Sequence, residues 1–269
     1  MKCVPLQWVV YNPPGMQQLK VKALGSQRHS MGAILAPFLA ALPCVAAGAA
    51  NIAGSIGASS DYVLRGISQN RGEVALQGDL HLLFAPGWSF GFWGSQVQLQ
   101  PHKHSVELDS YLQWTRPLGS DFNLALSATH YAYPHDPRPI NYDYNEFAAA
   151  LSWRDQLYAT VGYAPAVNLF TTYGYTVERS KRVYTFELSA HRSLRAHLDA
   201  LLGVGFYGPR DIDYASYTYG SASLTWHYAK WRADLSWIAV QNADHRWYTQ
   251  GKAGGPLTLS VAWSFQGPP

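Results

Sequence analysis

The chain has 269 residues, enough for one large domain or two ordinary ones, and its 48% hydrophobic content is typical of a folded protein. It combines 18 Tyr, 10 Trp and 23 Gly with only 14% charged residues, and because aromatics favour strands and Gly favours turns and bulges, this predicts an all-β protein. The formal charge of +3 comes from residues 1–49, since residues 50–269 carry 16 Lys and Arg against 17 Asp and Glu, a net −1 that gives no support to nucleic acid as a partner.

Residues 1–49 are predicted to be a leader and a cleaved secretory signal peptide. A basic stretch precedes the apolar, uncharged run 31–50, and Ala47-Gly48-Ala49 supplies an A-x-A cleavage site. Residues 1–15 have no signal feature, so Met16 is an alternative start. A transmembrane anchor is the other interpretation of this segment. Cleavage would remove both cysteines, which leaves a mature chain without a disulfide.

After residue 50, apolar and polar residues alternate with a period of two, which is typical of strands. No apolar run there reaches the length of a transmembrane helix. The pattern predicts about 12 strands, an even number as in single-chain bacterial barrels. They are expected at roughly 52–64, 74–84, 88–99, 105–116, 122–133, 143–153, 157–165, 182–192, 196–207, 214–228, 230–241 and 257–265.

The predicted connections alternate in length, as they do in outer-membrane barrels with short periplasmic turns and longer outer loops. We therefore predict a transmembrane antiparallel up-and-down β-barrel over residues 50–269, located in the bacterial outer membrane. The short connections are 85–87, 118–121, 154–156, 193–195 and a turn near Ala229. The longer ones are 65–73, 134–142, 166–181, 208–213 and 242–255, with 100–104 the shortest of that set.

A soluble antiparallel sheet, with its apolar face inward, is the alternative. Against it, the polar face holds isolated carboxylates with many Ser, Thr, Gly and Tyr instead of a coat of Lys and Glu. Aromatic residues also cluster near the strand ends, where they would form two interfacial girdles. The predicted girdle residues are Trp88, Trp114, Trp153, Tyr163, Tyr207, Trp226, Tyr228, Trp231, Trp263 and Phe265.

The stretch SDYVLRGISQNRGEVALQGDL at 60–80, with WGS at 93–95 and ELD at 107–109, resembles the TorF-type porins, a group of proteobacterial outer-membrane barrels. The resemblance is specific over about residues 58–155 and implies a membrane barrel with a channel role. It implies no catalytic residue and no cofactor. Outer-membrane barrels usually end on an aromatic residue that the barrel-assembly machinery reads, whereas here four residues follow Phe265.

If the apolar residues face lipid, the alternating polar residues face the lumen, and acids outnumber bases among them. A wall of carboxylates attracts cations. We therefore expect a porin-like channel for passive diffusion of small hydrophilic solutes or ions, with a preference for cations. The alternative is that these groups pair with one another in a plugged lumen. The predicted lumen residues are Gln77, Asp79, His81, Glu107, Asp109, Glu146, Glu187, His191, Asp199, Arg232 and Asp234.

Basic residues concentrate near the upper ends of the predicted strands. Lipopolysaccharide phosphates lie at that level and pair with Arg, although ordinary solvated loop charges would look the same. In the stretch 65–69, Gly66 is expected to permit a bend at the end of the first strand, and a binding role is the alternative. The candidate lipopolysaccharide contacts are Arg65, Arg71, Lys103, Arg138, Lys181 and Arg182.

Two other functions fit a barrel of this size. An outer-membrane lipid or peptide hydrolase needs a base within reach of a nucleophile, but His197 and Asp199 lie near a periplasmic turn, and Ser189 and His191 lie about 6–7 Å apart along a strand. The His-Lys-His sequence at 102–104 has no third metal ligand. We therefore predict no catalytic or metal site. The remaining alternative is a closed structural or adhesion barrel with partner-binding loops, and the permeant solute and oligomeric state stay open.

Overall fold

The structure, a computed structural model, describes residues 51–100, 103–134, 142–170, 177–210, 212, 215–244 and 257–266. The predicted leader and signal peptide at 1–49 lie outside these ranges. Among the described residues, no helix is long and apolar enough to cross a membrane.

Twelve long strands form one closed antiparallel barrel, and two strands of two residues each form a separate small hairpin. The strands are β1 (Asn51–Ser59), β2 (Val63–Leu64), β3 (Ile67–Ser68), β4 (Ala75–Ala85), β5 (Trp88–Gln100), β6 (Lys103–Leu118), β7 (Phe122–Ala132), β8 (Tyr144–Trp153), β9 (Leu157–Phe170), β10 (Val177–Arg195), β11 (Leu198–Pro209), β12 (Tyr217–Tyr228), β13 (Trp231–Gln241) and β14 (Leu257–Gln266). Each long strand pairs with its neighbours along the chain, and β1 closes the ring by pairing with both β4 and β14. The prediction of a 12-stranded up-and-down barrel is confirmed.

The first strand is shorter than predicted. The sequence indicates a strand over 52–64, but β1 ends at Ser59, which pairs with Ser260 of β14. The Ser60 amide still donates to the Leu259 carbonyl at 2.8 Å. After Ser60 the chain turns into the barrel instead of extending along the wall.

Two connections also differ from prediction. The sequence predicts a long loop over 166–181, but β9 continues to Phe170 and β10 begins at Val177. Val177 and Glu178 still pair with β9, and the register of this pairing shifts between Glu178 and Val183. Ser180, beside those shifts, has a φ of 51°. The predicted turn at 193–195 lies two residues later, because β10 continues to Arg195 before β11 begins at Leu198.

The apolar residues of the alternating pattern face outward and are exposed. Ile56 and Leu202, for example, are 63% and 61% exposed. A belt of large apolar side chains around a closed barrel is a membrane-facing surface, because such an area in water would drive aggregation. The belt includes Ile52, Leu76, Leu80, Phe90, Phe92, Leu108, Leu126, Phe147, Leu151, Val161, Phe186, Leu188, Val204, Leu224, Leu235, Leu259 and Val261.

Aromatic rings gather at the end of the barrel with short turns, which is periplasmic in outer-membrane barrels. The ring centroids of Trp88 and Trp114 lie 6.3 Å apart, and those of Trp263 and Phe265 lie 5.9 Å apart. The girdle prediction is wrong for Tyr207. Its position in β11 places it on the inner face, where it packs against buried residues of the lumen.

Candidate functional site in the barrel lumen

The first long connection, residues 60–74, folds into the lumen, and we call it the inner loop. At its centre, β2 and β3 pair as an antiparallel hairpin. Arg65 and Gly66 form the tip, with φ angles of 49° and 78°. Positive φ at both central positions is typical of the primed two-residue turns of hairpins, and Gly adopts it without strain.

Hydrogen bonds at its base give the inner loop a defined shape. The Tyr62 amide donates to Asn70 Oδ1 at 2.9 Å, and the Gln69 amide donates to the Tyr62 carbonyl at 2.7 Å. Ser68 Oγ donates to Asp61 Oδ1 at 2.7 Å. Burial raises the pKa of the Asp61 carboxyl, and the hydrogen bonds that it accepts act in the opposite direction. The loop is therefore an ordered element with its own internal bonding.

Packing joins the inner loop to two opposite parts of the wall. The Tyr62 ring lies 5.2 Å from the ring of Trp93 in β5, which is only 2% exposed. At the tip, a Cβ added to Gly66 would lie 2.6 Å from Val240 Cγ2 of β13 and 2.9 Å from Tyr219 Cβ of β12. The hairpin thus crosses the lumen from the β5 side to the β12–β13 side.

The guanidinium group of Arg65, at the hairpin tip, lies near two carboxylates of the wall. Its Nη2 lies 2.6 Å from Glu146 Oε1 of β8, and its Nε lies 3.8 Å from Glu187 Oε1 of β10. Tyr219 OH donates to the same Glu187 oxygen at 2.6 Å. The Arg65 and Glu146 side chains are only 10% and 8% exposed. A buried ion pair of this kind is costly to break, because the partner left behind keeps an uncompensated charge.

A second contact between the inner loop and the wall involves β6. Tyr62 OH donates to Glu107 Oε1 at 3.1 Å, and both residues are buried. Asp109, two residues further along the same face, is 1% exposed. Four carboxylates of the wall, Glu107, Asp109, Glu146 and Glu187, therefore lie on the inner faces of the strands around the hairpin.

Another buried group lies on β4 and β6. His81 Nδ1 lies 2.6 Å from Asp79 Oδ1, and Tyr111 OH donates to Asp79 Oδ2 at 2.7 Å. A Cβ added to Gly91 would lie 2.5 Å from the Tyr111 hydroxyl oxygen, so the glycine makes room for this tyrosine. Asp79 and His81 thus satisfy each other in the wall, as in the plugged-lumen alternative.

Toward the short-turn end, polar groups of β10 to β13 form further pairs, and two of these side chains are more accessible than those around Arg65. Arg232 Nε and Nη2 each donate to Asp234 at 2.6 Å, and Thr225 Oγ1 also donates to this carboxylate at 2.5 Å. His227 Nδ1 and His191 Nε2 lie 3.4 and 3.7 Å from Asp199 Oδ2. The His227 and Arg232 side chains are 25% and 21% exposed.

The structure places all eleven predicted lumen residues on the inner faces of their strands, opposite the exposed apolar belt. Gln77, the remaining member, lies beside Ser95, to which its amide donates at 3.4 Å. The structure therefore brings these residues together in separate paired groups instead of in one continuous ring.

The prediction that Arg65 contacts lipopolysaccharide is wrong. The side chain is buried in the lumen against Glu146 because the first loop folds inward. Arg71 belongs to the same loop, is half-buried, and donates from Nε to the Gln98 carbonyl at 3.2 Å.

Two of the other basic candidates, Lys181 and Arg182, lie in β10 nearer the outer rim. Arg182 is exposed on the outer face of β10. Lys181 pairs with Glu178 at 3.0 Å. Lys103 is the first residue of β6, but its side chain is outside the described part of the chain. The prediction for Arg138 lies entirely outside the described residues.

Sequence reasoning did not predict the inward hairpin. A local signal existed, because Arg65-Gly66 lies between two apolar residues, Leu64 and Ile67, a pattern that is compatible with a tight hairpin. That signal predicts a turn but not its direction. The direction depends on Glu146 and Glu187, which lie far away in sequence.

A sequence profile of a family of bacterial proteins of unknown function, Gcw_chp, matches residues 44–265. The chain belongs to the Gcw_chp family. No curated protein matches the sequence.

Solved structures with a similar fold include outer-membrane proteins. The KdgM porin has a TM-score of 0.47 at 10% identity, covering 80% of this chain and 99% of the porin. An outer-membrane channel from Pseudomonas putida has a TM-score of 0.49 at 12% identity, covering 84% and 97%. A structure from a study of in-meso crystallization of membrane proteins has a TM-score of 0.50 at 8% identity, covering 80% and 83%. At such identities the likeness concerns the fold alone.

Proposed function

We propose that this protein is an outer-membrane channel of the TorF type, through which small hydrophilic solutes or ions diffuse past the inner loop. The supporting observation is the polar inner wall of the barrel, whose side chains toward the short-turn end remain partly accessible. His227, Arg232 and Asp234 there are 25%, 21% and 15% exposed. The inner loop narrows the other half of the lumen and is held only by noncovalent contacts, so it constricts the passage without closing it permanently.

The channel is proposed to prefer cations. Of the eleven predicted lumen residues, seven are carboxylates and one, Arg232, carries a guanidinium group, and the inner loop adds two acids (Asp61 and Glu73) and two arginines (Arg65 and Arg71). Fixed negative charge on a low-dielectric wall lowers the energy of a cation in the lumen and raises that of an anion. The seven carboxylates are Asp79, Glu107, Asp109, Glu146, Glu187, Asp199 and Asp234.

A closed barrel with partner-binding loops is the second candidate, and the buried state of the hairpin favours it. Trp93, Glu107 and Asp109 are at most 2% exposed, so the lumen beside β5 and β6 is filled. In this candidate the inner loop is a permanent plug and the outer loops carry the function.

We propose a non-catalytic role for the polar groups near the short-turn end. His191 Nδ1 lies 3.2 Å from the Asp155 carbonyl oxygen, and its Nε2 lies 3.7 Å from Asp199 Oδ2, so the two ring nitrogens face Asp155 and Asp199 and not Ser189 of the same strand. Detergent-solubilised protein is expected to turn over neither lipid nor peptide substrates. Activity that disappears on substitution of His191 or His227 would refute this.

Two partners are proposed from position. Arg182, on the outer face near the rim, would contact lipopolysaccharide phosphates, which pair well with guanidinium groups.

The last strand, β14, with Trp263 and Phe265, would be recognised by the barrel-assembly machinery. Phe265→Ala is expected to lower the yield of heat-modifiable barrel in the outer membrane, and an unchanged yield would contradict this role.

Single-channel conductance in planar bilayers tests the main proposal. Protein extracted in detergent from outer membranes is expected to give discrete, reproducible steps, with a reversal potential that indicates cation preference in a salt gradient. Anion preference would remove the selectivity. A folded, heat-modifiable barrel that never conducts would replace the channel by the closed-barrel candidate.

A further inference from the structure

The wall around Arg65 forms a site with its own shape. Glu146 projects from β8 and Glu187 from β10, so two carboxylates reach the same guanidinium from different strands. Tyr219 of β12 orients Glu187 by donating its phenol hydrogen at 2.6 Å. Tyr131 and Tyr144, paired across β7 and β8, stack with ring centroids 4.4 Å apart. We call Glu146, Glu187, Tyr131, Tyr144 and Tyr219 the cation cage.

Two glycines in the wall leave room for the cage side chains. A Cβ on Gly205 would overlap the Tyr219 ring, which lies across that position on its way to Glu187. A Cβ on Gly162 would meet Thr185 Oγ1 and would lie 3.6 Å from Glu146 Oε1. The backbone of β9 and β11 is therefore shaped to let these long side chains lie against it.

Arg65 fills the cage incompletely. Its Nη2 engages Glu146 Oε1, whereas Glu146 Oε2 is buried and has no hydrogen-bond partner among the described residues. The distance from Arg65 Nε to Glu187 Oε1 is 3.8 Å, longer than a hydrogen bond. A carboxylate accepts a guanidinium best through both oxygens at once. The hairpin backbone limits how Arg65 can approach, but a free ligand would not have that restriction.

We propose that the cation cage is a binding site for the guanidinium group of a solute, and that Arg65 occupies it as an internal stand-in. The inference rests on the proposed channel function and names the class of solute that the channel would take. A solute bearing a guanidinium group would replace Arg65 between Glu146 and Glu187, and the hairpin tip would leave the cage as it enters.

Guanidinium fits this site better than an ammonium group. Its planar fork presents donors to two carboxylates on different strands, and it is more weakly hydrated than a primary amine. A compact alkylammonium would pair with one carboxylate and leave the other without a cation, although Glu187 would keep its hydrogen bond from Tyr219.

Binding to the Arg65→Ala variant tests the proposal without any need for conduction. The probe is N-ethylguanidine, which reproduces the end of an arginine side chain, and n-butylamine is the comparator. In isothermal titration, N-ethylguanidine is expected to bind the detergent-solubilised variant at least about tenfold more tightly than n-butylamine does. It is also expected to bind the variant at least about tenfold more tightly than it binds wild-type protein. Arg65→Lys is the matched control, since a cation remains in the cage and the added affinity should be absent.

A variant that combines Arg65→Ala with Glu146→Gln and Glu187→Gln should lose the binding. Equal binding to that variant, or no gain in Arg65→Ala over wild type, would overturn the proposal. If Arg65→Ala does not fold alone, N-ethylguanidine added during refolding should restore the heat-modifiable barrel where n-butylamine does not, and failure of this rescue also overturns it.

The outcomes separate the site from the channel. Binding to Arg65→Ala in a protein that never conducts would support the cation cage and refute the channel. Conductance without selective binding would support the channel and refute the cage.

Discussion

Replacement of Gly66 by alanine is expected to push the hairpin tip away from the far wall. Gly66 has a φ of 78°, and a Cβ there would lie 2.6 Å from Val240 Cγ2 and 2.9 Å from Tyr219 Cβ. A non-glycine residue held in this backbone region costs about 1–3 kcal/mol. Overpacking against the two wall residues adds about 1–3 kcal/mol. The seated hairpin would therefore be destabilised by about 2–6 kcal/mol.

The overpacking part of this cost disappears when the hairpin leaves its place, so Gly66→Ala shifts the balance toward an open lumen. Even about 2 kcal/mol would raise the ratio of displaced to seated hairpin by about 30-fold. The assay is single-channel conductance in planar bilayers. The variant is expected to show larger or more frequent open steps than wild-type protein under the same conditions.

Gly119→Ala is the matched control. Gly119 has a φ of 76° in the short turn between β6 and β7, and a Cβ there would have no heavy atom within 4 Å. The substitution imposes a similar backbone cost far from the hairpin, so conductance should equal that of wild type. The reasoning would be refuted if Gly66→Ala conducted like wild type, or if Gly119→Ala raised conductance equally.

Three further substitutions probe the fold and the lumen. Trp93→Ala is expected to lower the free energy of unfolding by about 3–5 kcal/mol because it empties a buried position against Tyr62. Urea unfolding of the protein in lipid vesicles measures this loss. A loss no larger than that of Trp88→Ala, at a more exposed position, would contradict the expectation. Leu202→Arg, in the lipid-facing belt, should cost about 2–4 kcal/mol in the same assay, and a cost equal to that of Leu202→Ala would show that Leu202 does not face lipid. Glu187→Gln should move the reversal potential in a salt gradient toward lower cation preference, with Asp121→Asn in a short turn as the control; equal shifts in both would argue against an effect within the lumen.

The faces of the strands could be predicted because they depend on local sequence. In an extended strand, neighbouring side chains point to opposite sides. The period of two around Glu107 and Leu108 therefore already separates a polar face from an apolar face. The structure buries Glu107 completely and leaves Leu108 50% exposed. The alternation of short and long connections predicted the up-and-down strand order for a similar reason. Each connection joins two strands that are consecutive in the sequence, so it can be recognised locally.

Strand ends were less predictable where a partner strand decides them. The sequence of 166–181 contains turn-forming residues, yet β9 and β10 extend into it because each supplies the other with backbone partners across a register shift. In contrast, Val63 and Leu64 have strand-forming side chains but leave the wall, and they pair with Ser68 and Ile67 in the inner hairpin. In both places hydrogen bonding between strands outweighs local propensity.

A membrane barrel of about 12 strands with an acidic inner face is predictable from the sequence alone, since a repeated local pattern is enough to specify which side of each strand is polar. The inward turn of the first loop and the position of Arg65 in the lumen depend instead on contacts that exist only in the closed barrel. An arginine in a polar loop ordinarily stays in water, because desolvating a lone charge is costly. Closing the barrel places Glu146 and Glu187 on either side of it, and their charges, 81 or more residues away in the chain, make burial of the guanidinium favourable.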